Sequence, residues 1–356
     1  MKQVVIVGAG IIGRMCAVRL AKAGARVTLL EGESEDLAYS SPTASAAAAG
    51  MLAPIEAAPG PHQKLAWDSF DLWKAQQAGA AWADGVRFDG GVVVAADADE
   101  AGALIRVAES ADREASALSP KQTQKRTGLR TMLKHAVFTP DEGVADPLRV
   151  LSGLAMDAKA YGVITEYGAD VEAVTATSAQ VYRGGVYEAD HVVLAPGAWA
   201  GAALEAAAPA LKHVRPGKGH LVSVALDAPL RPNLRSRDFY LAARRDEIVL
   251  GATMEPGLYE RHVEQARVDE LLAAAEALLP GEVRPAGRAW AGIRPMSPDN
   301  WPLIGPSDEG LLLAAGHSRN GWLLAPITAE IIAAYVMGEE IPPEWAALSP
   351  QRFGAP

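Results

Sequence analysis

The stretch AGIRPMSPDNWPLIG, residues 291–305, sets one arginine among small and apolar residues, in front of a proline-stiffened turn. A surface arginine needs no such frame. A buried arginine needs an anion, and its planar fork suits a carboxylate held by two parallel N–H bonds. Arg294 is thus the first candidate for chemistry, with Pro295 stiffening the backbone behind it. Its anion is either a ligand carboxylate or a structural one. Tyr240 can donate to the same carboxylate from a strand, or sit in the core with its hydroxyl satisfied. In GHSRNGWLLAP, residues 316–326, Arg319 can favour negative charge on a ligand or make an ordinary salt bridge. His317 can bond a ligand or water, or simply pack.

A second constellation lies at the N-terminus. VVIVGAGIIG places Gly8, Gly10 and Gly13 in the G-x-G-x-x-G spacing behind a short apolar run. Gly8 permits a tight turn, Gly10 lets the backbone approach a pyrophosphate, and Gly13 lets a helix lie close to a sheet. That helix is expected from about Ile11 to Ala23, so the N–H groups around Ile11 and Ile12 face phosphate. RVTLLE then reads as a second strand ending in Glu31, an acid placed to accept from an adenosine ribose. A 2′-phosphate would be repelled by Glu31, so NADP is disfavoured while NAD and FAD stay open.

The elements that must position these residues follow from periodicity and breakers. PTASAAAAGMLAP, residues 42–54, is small enough to press backbone against a flat ligand, with Pro42 starting and Gly50 ending a helix. Helices are expected over 64–83, 101–117, 146–160, 260–279 (Val263, Leu271 and Leu278 inward) and 322–336. Gly184-Gly185 signals a hairpin. HVVLA, residues 191–195, is a buried strand, and HLVSVAL, FYLAAR and EIVLGAT add further strands after it. Asp299-Asn300 reads as a structural turn, and His62 as a surface histidine.

Composition narrows the classes. A formal net charge of −10 weakens any case for nucleic acid or an anionic membrane surface. The single cysteine, Cys16, allows neither an internal disulfide nor a thiolate zinc cluster and fits a reducing compartment. No H-E-x-x-H, no G-x-S-x-G, no signal peptide and no membrane span is read, so no metal is expected and the location is read as cytoplasmic.

Four blocks in order, VVIVGAGIIG, AAAAGMLAP, AGIRPMSPDNWPLIG and GHSRNGWLLAP, extend over nearly the whole chain. With them the sequence resembles the FAD-dependent D-amino-acid oxidase family, and within it the glycine oxidase branch. The resemblance implies an α/β fold. A Rossmann-like FAD-binding domain is built from residues 1–85, 145–215 and 290–345. An inserted α+β substrate domain with a mainly antiparallel sheet takes 86–144 and 216–289. It implies non-covalent FAD, because Cys16 lies in the first helix, far from any attachment point.

The resemblance also assigns roles. Glu31 is the ribose ligand, Gly50 and Met51 are neighbours of the isoalloxazine, and Val174 is an adenine-side contact. Gly197, Gly316, His317, Arg319, Asn320, Gly321, Trp322 and Leu323 complete the cofactor set. Arg294 is the substrate-carboxylate arginine and Tyr240 its hydroxyl partner, with Arg319 beside them. The implied reaction is oxidation of glycine, sarcosine or small D-amino acids by hydride transfer to flavin N5, with O2 reduced to peroxide and a link to thiamine thiazole synthesis. A same-family dehydrogenase with a quinone or protein acceptor and a non-catalytic FAD-stabilised protein are the alternatives. Homo-oligomerisation stays open. Three departures fall near the pocket. Pro196-Gly197 stands where a small residue and glycine are commoner, FYLAARRDE lacks the usual proline before its first arginine, and His220 occupies a position where glutamine or glutamate is frequent.

Overall fold

The computed structural model describes residues 1–36, 41, 43–56, 61–130 and 133–354; the expected helix start at Pro42 lies outside the described residues. The strand Gln3–Val7, the helix Ile11–Lys22 and the strand Arg26–Glu31 form the expected β-α-β unit. Its two strands pair in parallel, Gln3 with Arg26 through Val7 with Leu30. They sit inside a six-stranded sheet ordered 303–306, 312–315, 191–194, 3–7, 26–31, 164–167, parallel except for its first strand. Alternation along these strands feeds two cores. Val4, Ile6, Val27 and Leu29 pack with the helices Ile11–Lys22, Pro61–Gln76 and Gly321–Met337. Val5, Val7, Leu30 and Leu194 pack on the other face against the meander 171–188. A strand buried on both faces reads as an unbroken apolar run, which is why VVIV and HVVL were legible.

The second sheet has nine strands drawn from residues 91–139 and 215–296. All neighbours are antiparallel except Asn233–Arg235 with Gly91–Val94. Its longest pair, Arg215–Leu226 with Val283–Met296, runs from Arg215 opposite Met296 to Leu226 opposite Val283, with a register shift near Ser223. This pair carries Arg294 and leads straight back to the first sheet, so the division drawn at residue 290 falls inside one continuous strand.

Several expectations change. The helix read over 42–54 is a single turn, Ala44–Ala47, capped by Thr43, and it gives way to the strand Met51–Leu52. Thr43 and the run of small residues favour a turn of helix, but tertiary pairing of Met51 with Val144 takes the chain into a sheet. The helix read over 260–279 starts at Gln265, and Val263 is 38 % exposed ahead of it rather than inward. The helix buries Leu271 as expected, together with Val268 and Ala275, and Leu278 packs half-buried against the same core.

Candidate active site

The two sheets enclose a cavity of about 850 Å³. Its nucleotide end is built by the first β-α-β unit. Gly8 takes φ 102°, and a Cβ there would lie 2.3 Å from the Ala195 carbonyl oxygen. A Cβ on Gly13 would lie 1.8 Å from the Gly8 oxygen, so the helix can approach the turn only with glycine. No side chain caps the helix at Gly10, and the Ile11 N–H donates to Ser45 Oγ at 2.9 Å. The N-terminus of a twelve-residue helix therefore opens on the cavity, as a pyrophosphate requires. Glu31 Oε2 accepts from the Ala9 N–H at 2.6 Å and Oε1 from the Glu33 N–H at 3.1 Å, which fixes the carboxylate at the cavity wall.

The middle of the cavity is floored by residues 44–51. Gly50 has φ 82°, and a Cβ on it would meet the Ala145 oxygen at 2.0 Å. The carbonyls of this segment are held from outside. Trp322 Nε1 donates to Ser45 O at 3.2 Å and Trp290 Nε1 to Ala47 O at 2.8 Å. The buried Arg244 donates to Ala48 O, and its Nε donates to Ala49 O at 3.1 Å. A Cβ on Gly292 would lie 2.6 Å from the Ala47 methyl, so the sheet and this floor touch through glycine.

The far end holds Arg294. Its guanidinium lies over Gly219, where a Cβ would be 2.1 Å from Nη1. The Tyr240 ring lies likewise over Gly251, whose Cβ would be 2.6 Å from the hydroxyl oxygen. Arg294 donates to Tyr240 and, through Nη1 at 3.3 Å, to the Thr253 carbonyl. Among the described residues no carboxylate lies within ion-pair distance of it. Burial pushes its pKa below the ordinary value, with Tyr240 opposing and Arg319 adding to the shift. A guanidinium stays charged even so, which leaves a half-buried cation at a cavity wall.

The block around His317 is stitched to this strand. Met296 bridges His317, the Ser318 N–H donates to the Pro295 carbonyl, and the Ser297 N–H donates to Ser318 Oγ at 3.0 Å. His317 is buried, with Nε2 3.0 Å from Thr328 Oγ1, and burial pushes its pKa down to about 3. Thr328 Oγ1 donates to Leu324 O at 2.8 Å, so His317 donates from Nε2 and is a neutral imidazole.

All the site residues expected from sequence line this one cavity except Gly13, Val174 and Leu323. Gly13 acts through the close approach of helix and turn described above. Leu323 points into the helical core. Val174 is 8 % exposed and packs with Ala179 and Val192, while Val171 of the same strand faces the cavity. Gly219, Gly251, Arg244 and Trp290 were not singled out. The signal for the first two was present: glycines at alternate or isolated strand positions mark a close approach. His62 stacks on Trp301, ring centroids 4.4 Å apart, and is not lone surface. Asp299 accepts from Trp301 N–H at 3.0 Å and pairs with Arg352, the structural turn expected.

Residues 3–335 match the DAO family model, described as FAD dependent oxidoreductase. The chain belongs to this family. It is 33 % identical to glycine oxidase of Bacillus licheniformis over 96 % of this chain and 94 % of that one. It is 34 % identical to the bifunctional protein ThiO/ThiG of Synechocystis over 99 % of this chain, spanning 54 % of that longer protein. Glycine oxidase from Geobacillus kaustophilus superposes with a TM-score of 0.85 at 28 % identity, covering 99 % of each chain. The glycine-oxidase branch, the α/β fold with an inserted sheet domain, and FAD-dependent oxidase chemistry on a small amino acid or amine are thereby those of this chain. The matched family is FAD dependent. Cys16 is buried in the first helix, with its thiol pushed up to about 12 by burial. No described helix is long and apolar enough to cross a membrane, and no described group of His, Cys, Asp and Glu is placed to hold a metal ion.

Proposed function

We propose that this chain oxidatively deaminates glycine, sarcosine or a short D-amino acid, with O2 as the electron acceptor. The observation that carries the reading is Arg294: a half-buried guanidinium that, among the described residues, bonds a phenol and a carbonyl and no carboxylate, in the cavity that also contains the dinucleotide grip. A carboxylate supplies the charge that this cation lacks. Tyr240 accepts from Arg294 and keeps a proton it can donate to the same carboxylate. Gly8, Gly10 and the helix start at Ile11 and Ile12 are proposed to hold the pyrophosphate, Glu31 the ribose, and Val171 the adenine side. Gly50, Met51 and residues 316–322 flank the ring system, and Gly197 lines the same wall.

When bound, the flavin takes two electrons from the amine and hands them on to the acceptor. The protein's work is orientation. Arg294 and Tyr240 fix one end of the substrate, and the floor at Gly50 and Met51 sets how much room lies beyond it. Glycine loses two electrons and two protons to give the imine, which adds water to yield glyoxylate and ammonia; O2 takes the two electrons and two protons as peroxide. His317 is too firmly neutral to serve as the base, and none is needed when the amine enters unprotonated. The similarity to ThiO/ThiG over the whole of this chain supports a role in supplying the imine for thiazole synthesis. A cytoplasmic location fits the composition.

The test is a panel of glycine, sarcosine, D-alanine, D-proline and D-phenylalanine, scored for anaerobic bleaching of the flavin and for peroxide in air. Bleaching and peroxide with the smallest members are expected. Bleaching with almost no peroxide moves the chain to the dehydrogenase reading, and no bleaching by any of them overturns the proposal.

A further inference from the structure

The strand Arg215–Leu226 shows two faces at the site. Gly219 turns to the cavity and seats Arg294. Lys218 and His220 are fully buried. His220 is tied to the segment that follows Tyr240 and Gly251. Its backbone N–H donates to Thr253 Oγ1 at 2.9 Å, and its ring Nδ1 lies 3.0 Å from both Thr253 Oγ1 and Glu255 Oε1. Its Nε2 is 3.1 Å from the Glu264 backbone nitrogen. An amide N–H can only donate, so Nε2 accepts and the ring hydrogen sits on Nδ1, directed at Glu255. Thr253 Oγ1 also donates to Glu255 Oε1 at 3.0 Å. The Thr253 carbonyl, on the same residue, receives Arg294 Nη1.

We propose that His220 is a positioning residue for substrate: while neutral, it fixes Thr253 and so holds the Arg294 guanidinium in the geometry that grips a carboxylate. This rests on the reading of Arg294 as the carboxylate anchor. The mechanism is local. A proton on Nε2 would set one N–H against the Glu264 N–H, and the ring could no longer bridge residues 253–255 to 264. The charged groups around the ring are Glu255, Glu264 and Lys218, with Arg267 on Glu255 (3.4 Å) and Lys218 on Glu264 (2.8 Å). Burial pushes the His220 pKa below 6.5, Glu255 and Glu264 oppose, and Lys218 adds to the fall. The grip is therefore intact above that pKa and is lost as pH falls through it. A histidine makes this support titratable where a glutamine would not.

The test uses the FAD-loaded enzyme and glycolate, a two-carbon carboxylate with no amine to titrate, read by perturbation of the flavin spectrum from pH 8 to pH 5. For wild type, Kd should rise as pH falls, by up to about tenfold per pH unit below the imidazole pKa. His220→Gln should bind within about threefold of wild type at pH 8 and show a flat profile, because its amide can accept from Glu264 without titrating. His262→Gln, which alters the exposed histidine 3.6 Å from Glu264, should keep the wild-type profile. His317 stays neutral over the window. A wild-type pH profile retained in His220→Gln overturns the proposal. Arg294→Lys separates the two readings: if it binds glycolate as well as wild type, the anchor itself is wrong. If it loses binding while His220→Gln keeps the acid limb, only the positioning role fails.

Discussion

Arg294→Lys keeps a positive charge and discards the planar fork, so it separates charge from geometry. We expect substrate capture to fall steeply in that variant while FAD stays bound. Arg294→Ala should lose about 2–5 kcal/mol of substrate interaction, the range for truncating one partner of a desolvated charge pair. Gly219→Ala tests the seat rather than the cation. Its methyl would overlap Nη1, so the guanidinium must move, and anaerobic reduction by glycine should slow without loss of FAD. Unchanged reduction kinetics in Gly219→Ala would show that the guanidinium does not work from that position. Arg294 was legible because an arginine framed by apolar residues and prolines demands an anion. Its glycine seats were less so, since glycine in a strand signals close approach without saying what approaches. Val174 and Val171 show the limit of residue-level reading: they are three apart on one strand, and only cross-strand packing decides which of them meets the cavity.

At the scale of elements, the floor at residues 44–51 is held by side chains from other segments. Trp290→Phe removes the donor to the buried Ala47 carbonyl, a cost of about 1–3 kcal/mol for the orphaned acceptor. FAD affinity, measured by quenching of flavin fluorescence on adding apoprotein, should weaken, because the floor of the cavity shifts. An affinity equal to wild type would mean that the floor holds without the indole. The β-α-β unit was readable from sequence down to the residue that ends its second strand, because buried strands and glycine turns are local signals. The strand Val283–Met296 was not. It carries Pro285, Gly287, Gly292 and Pro295, which read as breakers, and it is a strand because Arg215–Leu226 pairs with it over almost its whole length. The inserted sheet owes its order to such long-range pairings, which no short window contains.

For the molecule as a whole, four histidines, His62, His191, His220 and His317, have pKa values lowered chiefly by burial. Each takes a proton less readily in the fold than in the unfolded chain, so the unfolded chain binds more protons below about pH 6.5. Stability is therefore full above about pH 6.5 and falls as the medium acidifies, with a slope of up to about 1.4 kcal/mol per pH unit for the buried His317. Thermal melts at pH 7.5 and 5.5 should show a lower midpoint in acid, and a smaller drop for His317→Gln; equal drops would remove His317 from the account. The central claim is that a substrate carboxylate completes Arg294 in an FAD-dependent amine oxidase. Its most direct measurement is stopped-flow flavin bleaching by glycine without oxygen, in wild type and Arg294→Lys at matched FAD content and alkaline pH. The account predicts rapid bleaching by the wild type and a loss of at least about a hundredfold in kcat/KM for reduction by the variant, roughly 2.7 kcal/mol. Equal bleaching by both proteins would contradict it.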